Sequence, residues 1–136
     1  MITVSVKVKG TITQVWDHFT NPEHIVHWNF ASDDWCTPWA KNDLRVGGKF
    51  SSRMEAKDGS AGFDFEGLYT KVSPFEGYAY ELIDGRQILV TFKESPGFVT
   101  VIEDFDPENE NTLELQQKGW QSILDNFKKY SESLES

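Results

Sequence analysis

A chain of 136 residues, 38% of them hydrophobic, is long enough for one domain with a proper core and needs no disulfide or metal to hold it. The net charge of −9, with no Lys/Arg cluster against it, excludes duplex nucleic acid as a partner and disfavours anionic membrane surfaces. Aromatic residues reach 14%, with ten Phe and five Trp, so the core is built from large rings that pack well around concave spaces.

The first residues, Met1 to Lys9, alternate apolar Ile2, Val4, Val6 and Val8 with polar Thr3, Ser5, Lys7 and Lys9. That is a half-buried strand, ended by Gly10. It is not the continuous apolar stretch of a signal peptide, and no run approaches membrane-span length. The lone Cys36 cannot form an internal disulfide. Cytoplasm is the expected compartment, and membrane insertion is not expected.

Thr11 and Gln14 form a capping box for a helix carrying Ile12, Val15, Trp16 and Phe19. Asn21-Pro22 starts a second short helix running to about Trp28. Residues 29–43, with Asp33, Asp34, Pro38 and Asn42 among aromatics, read as an irregular loop. Strands follow from Gly47-Gly48: one with Phe50, Ser52, Met54 and Ala56 on one face, then about 62–72, 77–83, 86–94 and 98–105. Asp58-Gly59, Ser73-Pro74, Asp84-Gly85 and Pro96-Gly97 mark the turns, so neighbouring strands are antiparallel. Asn111 and Glu114 can cap a last, long helix with Leu113, Gln116, Trp120, Ile123, Phe127, Tyr130 and Leu134 at threes and fours. Its end, Ser131 to Ser136, is expected to fray.

The order is therefore one strand, two short helices, five strands and a long helix. Six strands spaced about 4.8 Å apart make a sheet roughly 25–30 Å wide, whereas a helix with side chains is about 10–12 Å across. One helix covers such a face only when the sheet curls around it. The curl leaves a hollow for aromatic side chains or for a ligand. The expected class is α+β: a six-stranded curved antiparallel sheet around a long C-terminal helix, in a single domain over residues 1–136.

Several stretches carry a resemblance. They are Val15-Trp16-Asp17-His18-Phe19-Thr20-Asn21-Pro22-Glu23-His24 with Trp28, Val46-Gly47-Gly48-Lys49-Phe50, and Phe65-Glu66-Gly67-Leu68-Tyr69. Glu103-Asp104-Phe105-Asp106 and Gly119-Trp120-Gln121-Ser122-Ile123-Leu124-Asp125-Asn126-Phe127 complete the set. In this order they resemble the activator of heat-shock-protein-90 ATPase homologue family, within the START-like (SRPBCC) helix-grip superfamily. The resemblance implies a helix-grip fold with a cavity for hydrophobic molecules such as lipids, polyketides or flavonoid-like compounds. The eukaryotic namesake stimulates a chaperone and carries an additional N-terminal domain for which this chain has no room, so chaperone binding is discounted.

Glu103 shares its alternation with Val101 and Phe105, which points its carboxyl into the hollow as an anchor for a ligand's polar group. Gln116, one turn before Trp120, offers a second polar contact or else sits in solvent. Trp28, Trp35 and Trp39 are read as lining the cavity mouth, with 29–43 as a mobile lid. Phe50, Met54, Tyr80, Phe92, Phe105 and Trp120 complete the wall. His24 and His27 can meet on a helix, but their spacing to Cys36, Asp33 and Asp34 fits no standard zinc motif, and surface histidines explain the pair. Gly47-Gly48-Lys49 lacks the glycine-flanked cradle of a P-loop. Neither a metal nor a cofactor is expected, and no nucleophile stands in a triad. The expected function is non-catalytic binding of a small hydrophobic or amphipathic molecule. The alternatives are a cyclase- or hydrolase-type enzyme using the same cavity, and a co-chaperone-like activator.

Overall fold

The computed structural model describes residues 1–134. Its elements are β1 (Ile2–Lys9), α1 (Ile12–Thr20), α2 (Pro22–Ile25), β2 (Trp35–Cys36), β3 (Ala40–Asn42), β4 (Lys49–Ala56), β5 (Gly62–Ser73), β6 (Gly77–Leu82), β7 (Gln87–Ser95), β8 (Phe98–Phe105) and α3 (Leu113–Ser133). All strands belong to one antiparallel sheet in the order β1-β8-β7-β6-β5-β4-β2, with β3 also on β4. The chain thus runs away from β1 and returns beside it, which puts the first strand against the last.

The six long strands stand where alternation and turns place them. The sheet has two more, because the segment expected to be an irregular loop contributes β2 and β3. Trp35-Cys36 pairs with Glu55-Ala56, and Ala40 to Asn42 pairs with Phe50 to Ser52. Strands of two and three residues separated by Pro38 are too short to show a period. What forms them is the unpaired outer edge of β4, which offers N–H and C=O groups to any chain passing beside it.

Local signals set the helix ends. Thr11 and Gln14 form the capping box of α1, and Asn21 caps α2 with Pro22 in its first turn. α2 stops at Ile25 and continues as turns, short of Trp28. α3 is capped by Thr112, whose hydroxyl accepts from the Leu115 N–H, in place of Asn111. Ser131 does not fray: it is helical and fully buried, while Glu135 and Ser136 lie outside the described residues. No helix among the described residues is long and apolar enough to cross a membrane.

A bulge at Thr70, where pairing steps from Tyr69↔Tyr80 to Lys71↔Ala79, adds bend and twist to β5. On the inner face of the curled sheet α3 packs along β1. Its side chains close the β1 edge. The Gln121 amide donates to the Ser5 carbonyl at 2.9 Å and accepts from the Ser5 N–H at 3.4 Å. Lys128 donates to the Lys7 carbonyl at 2.6 Å, and Glu132 accepts from the Lys9 N–H at 2.9 Å. From Lys128 to Glu132 four helical residues advance about 6 Å against about 6.7 Å for the two strand residues from Lys7 to Lys9, while the seven helical residues from Gln121 to Lys128 overshoot the two from Ser5 to Lys7, a difference that the long Lys128 side chain takes up. Val15, Leu124 and Phe127 are sealed beneath this contact with Val8, Val99 and Val101.

Replacing two of the three clamps, Gln121→Ala with Lys128→Ala, is expected to cost about 1–2 kcal/mol in urea unfolding, because the freed backbone groups remain open to water. Hydrogen exchange at the Ser5 amide should accelerate. Unchanged protection there would show that the edge does not depend on the helix.

Candidate functional site

α3 lies over the β1 side, and the far half of the curl, under β4, β5 and β6, is left partly open. A cavity of about 220 Å³ occupies it. Alternation along each strand supplies the wall: Phe50, Ser52 and Met54 from β4, Phe63, Phe65 and Tyr69 from β5, Tyr78 and Tyr80 from β6, and Glu103 from β8. Trp120 and Ile123 descend from α3, and Phe19, Ile25, Trp28 and Asn29 close the helical side. The rings brace one another. Phe50 meets Tyr80 edge-on with centroids 4.6 Å apart, and Phe65 meets Trp120 at 6.3 Å. Gly67 belongs to this packing: a Cβ there would lie 2.7 Å from the Phe50 ring, so the missing side chain is the space the ring occupies. Exposed Lys41 and Phe63 mark where the cavity meets solvent.

Glu103 is the ionisable side chain at the inner end. Its strand neighbours are Val4 on β1 and Val90 on β7, both buried. Among the described residues nothing forms a hydrogen bond or ion pair with its carboxyl, and no sealed side-chain polar atom lacks a partner. The oxygens must therefore border the cavity. Burial alone pushes the carboxyl up to about 8, so at neutral pH it is mostly a neutral acid. The Tyr78 and Tyr80 phenols are raised well above their usual value, first by burial, with the negative charge of Glu103 adding to it. Tyr69 is also raised by burial, and its hydroxyl donates to Asn42 Oδ1 at 2.5 Å. The Asn42 amide in turn donates to the Thr20 carbonyl at 2.7 Å, tying β3 and β5 to α1. An acid that can donate, phenols beside it and apolar rings around it can hold a molecule with a polar end. A second depression of about 550 Å³, by Lys49, Glu66, Leu68 and Ile83, has no buried carboxyl in its lining; a Lys49–Glu66 ion pair at 3.3 Å stands there.

Six residues expected at the site stand on the cavity wall: Trp28, Phe50, Met54, Tyr80, Glu103 and Trp120. Five stand elsewhere. Phe92 is covered by α1, wedged between Trp16 at 4.9 Å and Phe19 at 5.5 Å. Phe105 lies under Trp120, stacked at 3.9 Å and 11°. Gln116 is buried but turned to the preceding loop. Its Oε1 accepts from the Glu108 N–H at 2.8 Å, and its amide donates to the carbonyls of Glu108 and Asn111. Chain entering a helix after Pro107 leaves backbone groups unpaired, and a first-turn glutamine can reach back to them. Trp35 sits outside the mouth, 6.2 Å from Phe63, and Trp39 is exposed with Lys41 over its ring at 5.5 Å.

The 29–43 segment is not a free lid. β2 and β3 are hydrogen-bonded to β4, the Thr37 hydroxyl donates to the Asn29 carbonyl at 2.5 Å, and Lys57 N–H donates to the Asp34 carbonyl. The residues that sequence reading missed, chiefly Ser52, Phe65, Tyr69 and Tyr78, share faces with Phe50 and Tyr80 at steps of two. That alternation was the available signal.

Among curated proteins none matches this sequence. Among solved structures, an AHSA1-like protein from Aeromonas hydrophila is 43% identical, with a TM-score of 0.89 over 98% of this chain and 94% of its own. A protein from Cytophaga hutchinsonii is 44% identical, with a TM-score of 0.84 over 98% and 93%. A Rhodobacter sphaeroides protein shares the fold at 12% identity, with a TM-score of 0.80 over 98% of this chain and 91% of its own. The family model for Activator of Hsp90 ATPase homolog 1-like protein matches residues 9–132. With nearly the whole chain inside that match and the curled sheet gripping its last helix, the protein belongs to the AHSA1-like family, with the START-like helix-grip fold.

Proposed function

We propose that this chain binds one small hydrophobic or amphipathic molecule in the cavity between sheet and α3, without transforming it, and that Glu103 orients the ligand's polar end. The observation that carries this reading is the buried Glu103 carboxyl, which faces an aromatic-walled cavity and has no hydrogen-bond or ion-pair partner among the described residues. A buried polar group without a partner costs about 1–3 kcal/mol. A ligand that accepts the carboxyl's proton in a hydrogen bond returns part of that cost. Apolar contact supplies most of the affinity, at about 25 cal/mol per Å² before ordering costs.

Size narrows the ligand. A volume near 220 Å³ lies between a cavity of ~150 Å³ that takes benzene and the ~300 Å³ at which drug-sized sites begin. One or two rings, or a short chain, fit without rearrangement; a long acyl chain does not. The direct test is native mass spectrometry of protein purified from its own host, with extraction of what is bound. Tryptophan fluorescence can follow titration with small phenols and ketones. An interior that takes up none of them, or turnover of the bound compound abolished by Glu103→Gln in a folded protein, would end the binding-only reading.

Trp120→Ala removes a half-buried ring that stacks on Phe105 and walls the cavity. It should cost about 2–3 kcal/mol of stability, less than a fully sealed tryptophan, and weaken ligand uptake. Equal affinity in a folded variant would place the site elsewhere.

Glu103 also makes a stability claim with a definite sign. Its folded value of about 8 lies above the ordinary 4.5, so the folded state holds the proton more tightly than the unfolded chain. Its stabilising effect is complete below about pH 4.5 and is lost as pH rises to about 8, by a few kcal/mol at most. Glu103→Gln should gain stability relative to the parent between pH 5 and 8 in parallel denaturant titrations. Parallel pH profiles of the two proteins would mean that the carboxyl is solvated.

A further inference from the structure

We propose that Asp17, His18 and His24 form a binding site for one divalent transition-metal ion of the zinc, cobalt or nickel type. The site lies where α1, α2 and α3 meet. One ligand atom from each of the three side chains lies within 4.8 Å of the other two. Two imidazoles and a carboxylate suit borderline metals; calcium or magnesium would call for oxygen donors throughout.

The outer hydrogen bonds are those a metal site needs. His24 Nδ1 faces the Tyr130 hydroxyl at 2.6 Å, which turns Nε2 toward Asp17. His18 Nδ1 faces the hydroxyl of the fully buried Ser131 at 2.8 Å. Metal-binding histidines almost always engage their second nitrogen in this way, which sets tautomer and ring orientation. Asp17 divides its oxygens: Oδ1 accepts from the Asn21 amide at 3.3 Å, and Oδ2 faces His24 Nε2 at 3.4 Å. That last distance is long for a charge-assisted hydrogen bond, which prefers about 2.7–2.9 Å. It matches the edge of a tetrahedron with metal–ligand bonds near 2.0–2.1 Å, which is about 3.3–3.4 Å. The two rings meet edge-to-face at 4.9 Å, so a modest rotation of each closes the triangle. Asp17 is exposed, which leaves a path for the ion and a position for water. The chain's net charge of −9 favours any cation. His27, three residues beyond His24, stacks on Tyr130 with ring centroids 5.5 Å apart and takes no part.

Titration of the chelator-treated full chain with Co²⁺, read by visible absorption, and with Zn²⁺, read by calorimetry, tests the site. One equivalent should bind at micromolar concentration, with the intense Co²⁺ bands of a tetrahedral nitrogen–oxygen site, and should raise the melting temperature. Asp17→Asn, at an exposed position where folding is safe, and His24→Ala should each abolish the bands. Ser131→Ala, which touches no ligand atom of the ion, should weaken binding about 10- to 100-fold. His27→Ala and Cys36→Ser should leave it unchanged. The proposal fails if no saturable binding is seen at millimolar metal, if binding survives Asp17→Asn with His24→Ala, or if it depends on His27 or Cys36. None of these readouts involves the cavity, so the ligand reading stands or falls separately.

Discussion

The rest of the structure depends on how α3 is fastened. It is tied to the edge of β1 by Gln121, Lys128 and Glu132, whose side chains satisfy backbone groups that an edge strand otherwise presents to solvent. This attachment does two things. It protects the edge from pairing with another chain, and it holds the helix to one side of a sheet too wide for a single helix to cover. Curl and bulge bring the far strands round, and among the described residues of α3 Trp120 and Ile123 line the hollow between. The hollow follows from an off-centre clamp, and it would shrink if the helix sat centrally.

What lines the hollow is chosen against stability. Position 103 lies on the inner face of β8 between Val4 and Val90, and a valine or leucine there would extend the apolar core. A carboxyl instead forces a choice between a buried charge and a bound proton, and the environment selects the proton. Tyr78 and Tyr80 add hydroxyls where phenylalanine would pack as well. Three polar groups on one inner surface, without hydrogen-bond partners among the described residues, border the cavity instead of being sealed, a local departure from an apolar inner face. Such departures are where function is expected to reside.

Much of this was legible in the chain. Period-2 alternation, turn dipeptides and two cap signatures place six strands and three helices, because each depends on neighbours in sequence. β2 and β3 were not legible, since their cause is the vacant edge of β4 rather than any pattern of their own. Within the site, alternation told inside from outside correctly for Phe50, Met54, Tyr80 and Glu103. It could not say which inward residues stay uncovered. Phe92 and Phe105 face inward as expected, yet one is roofed by Trp16 and Phe19 and the other by Trp120. That depends on where the helices land. Gln116 shows the same limit: it is buried yet lies neither on the cavity nor in solvent, because the donor and the two acceptors it satisfies belong to a loop whose path the sequence does not state.

The helical corner concentrates the remaining chemistry for a related reason. α1 has nine residues and buries Val15, Trp16 and Phe19, whereas α2 has four and buries none, so the junction between them is held by single polar contacts. The Trp28 indole donates to the His18 carbonyl at 2.9 Å, and the Asn126 amide of α3 donates to the Trp28 carbonyl at 2.8 Å. Trp28 then stacks on Phe19 at 4.8 Å, inside the cavity wall. One face of α1 thus meets the cavity while its neighbours Asp17 and His18 meet α2 and α3. Imidazole, phenol and hydroxyl groups accumulate there because helix ends must be joined by directional bonds where apolar area is scarce. The same directional bonds orient the imidazoles toward the Asp17 carboxylate, so the geometry a cation would need is a by-product of how these short helices are held.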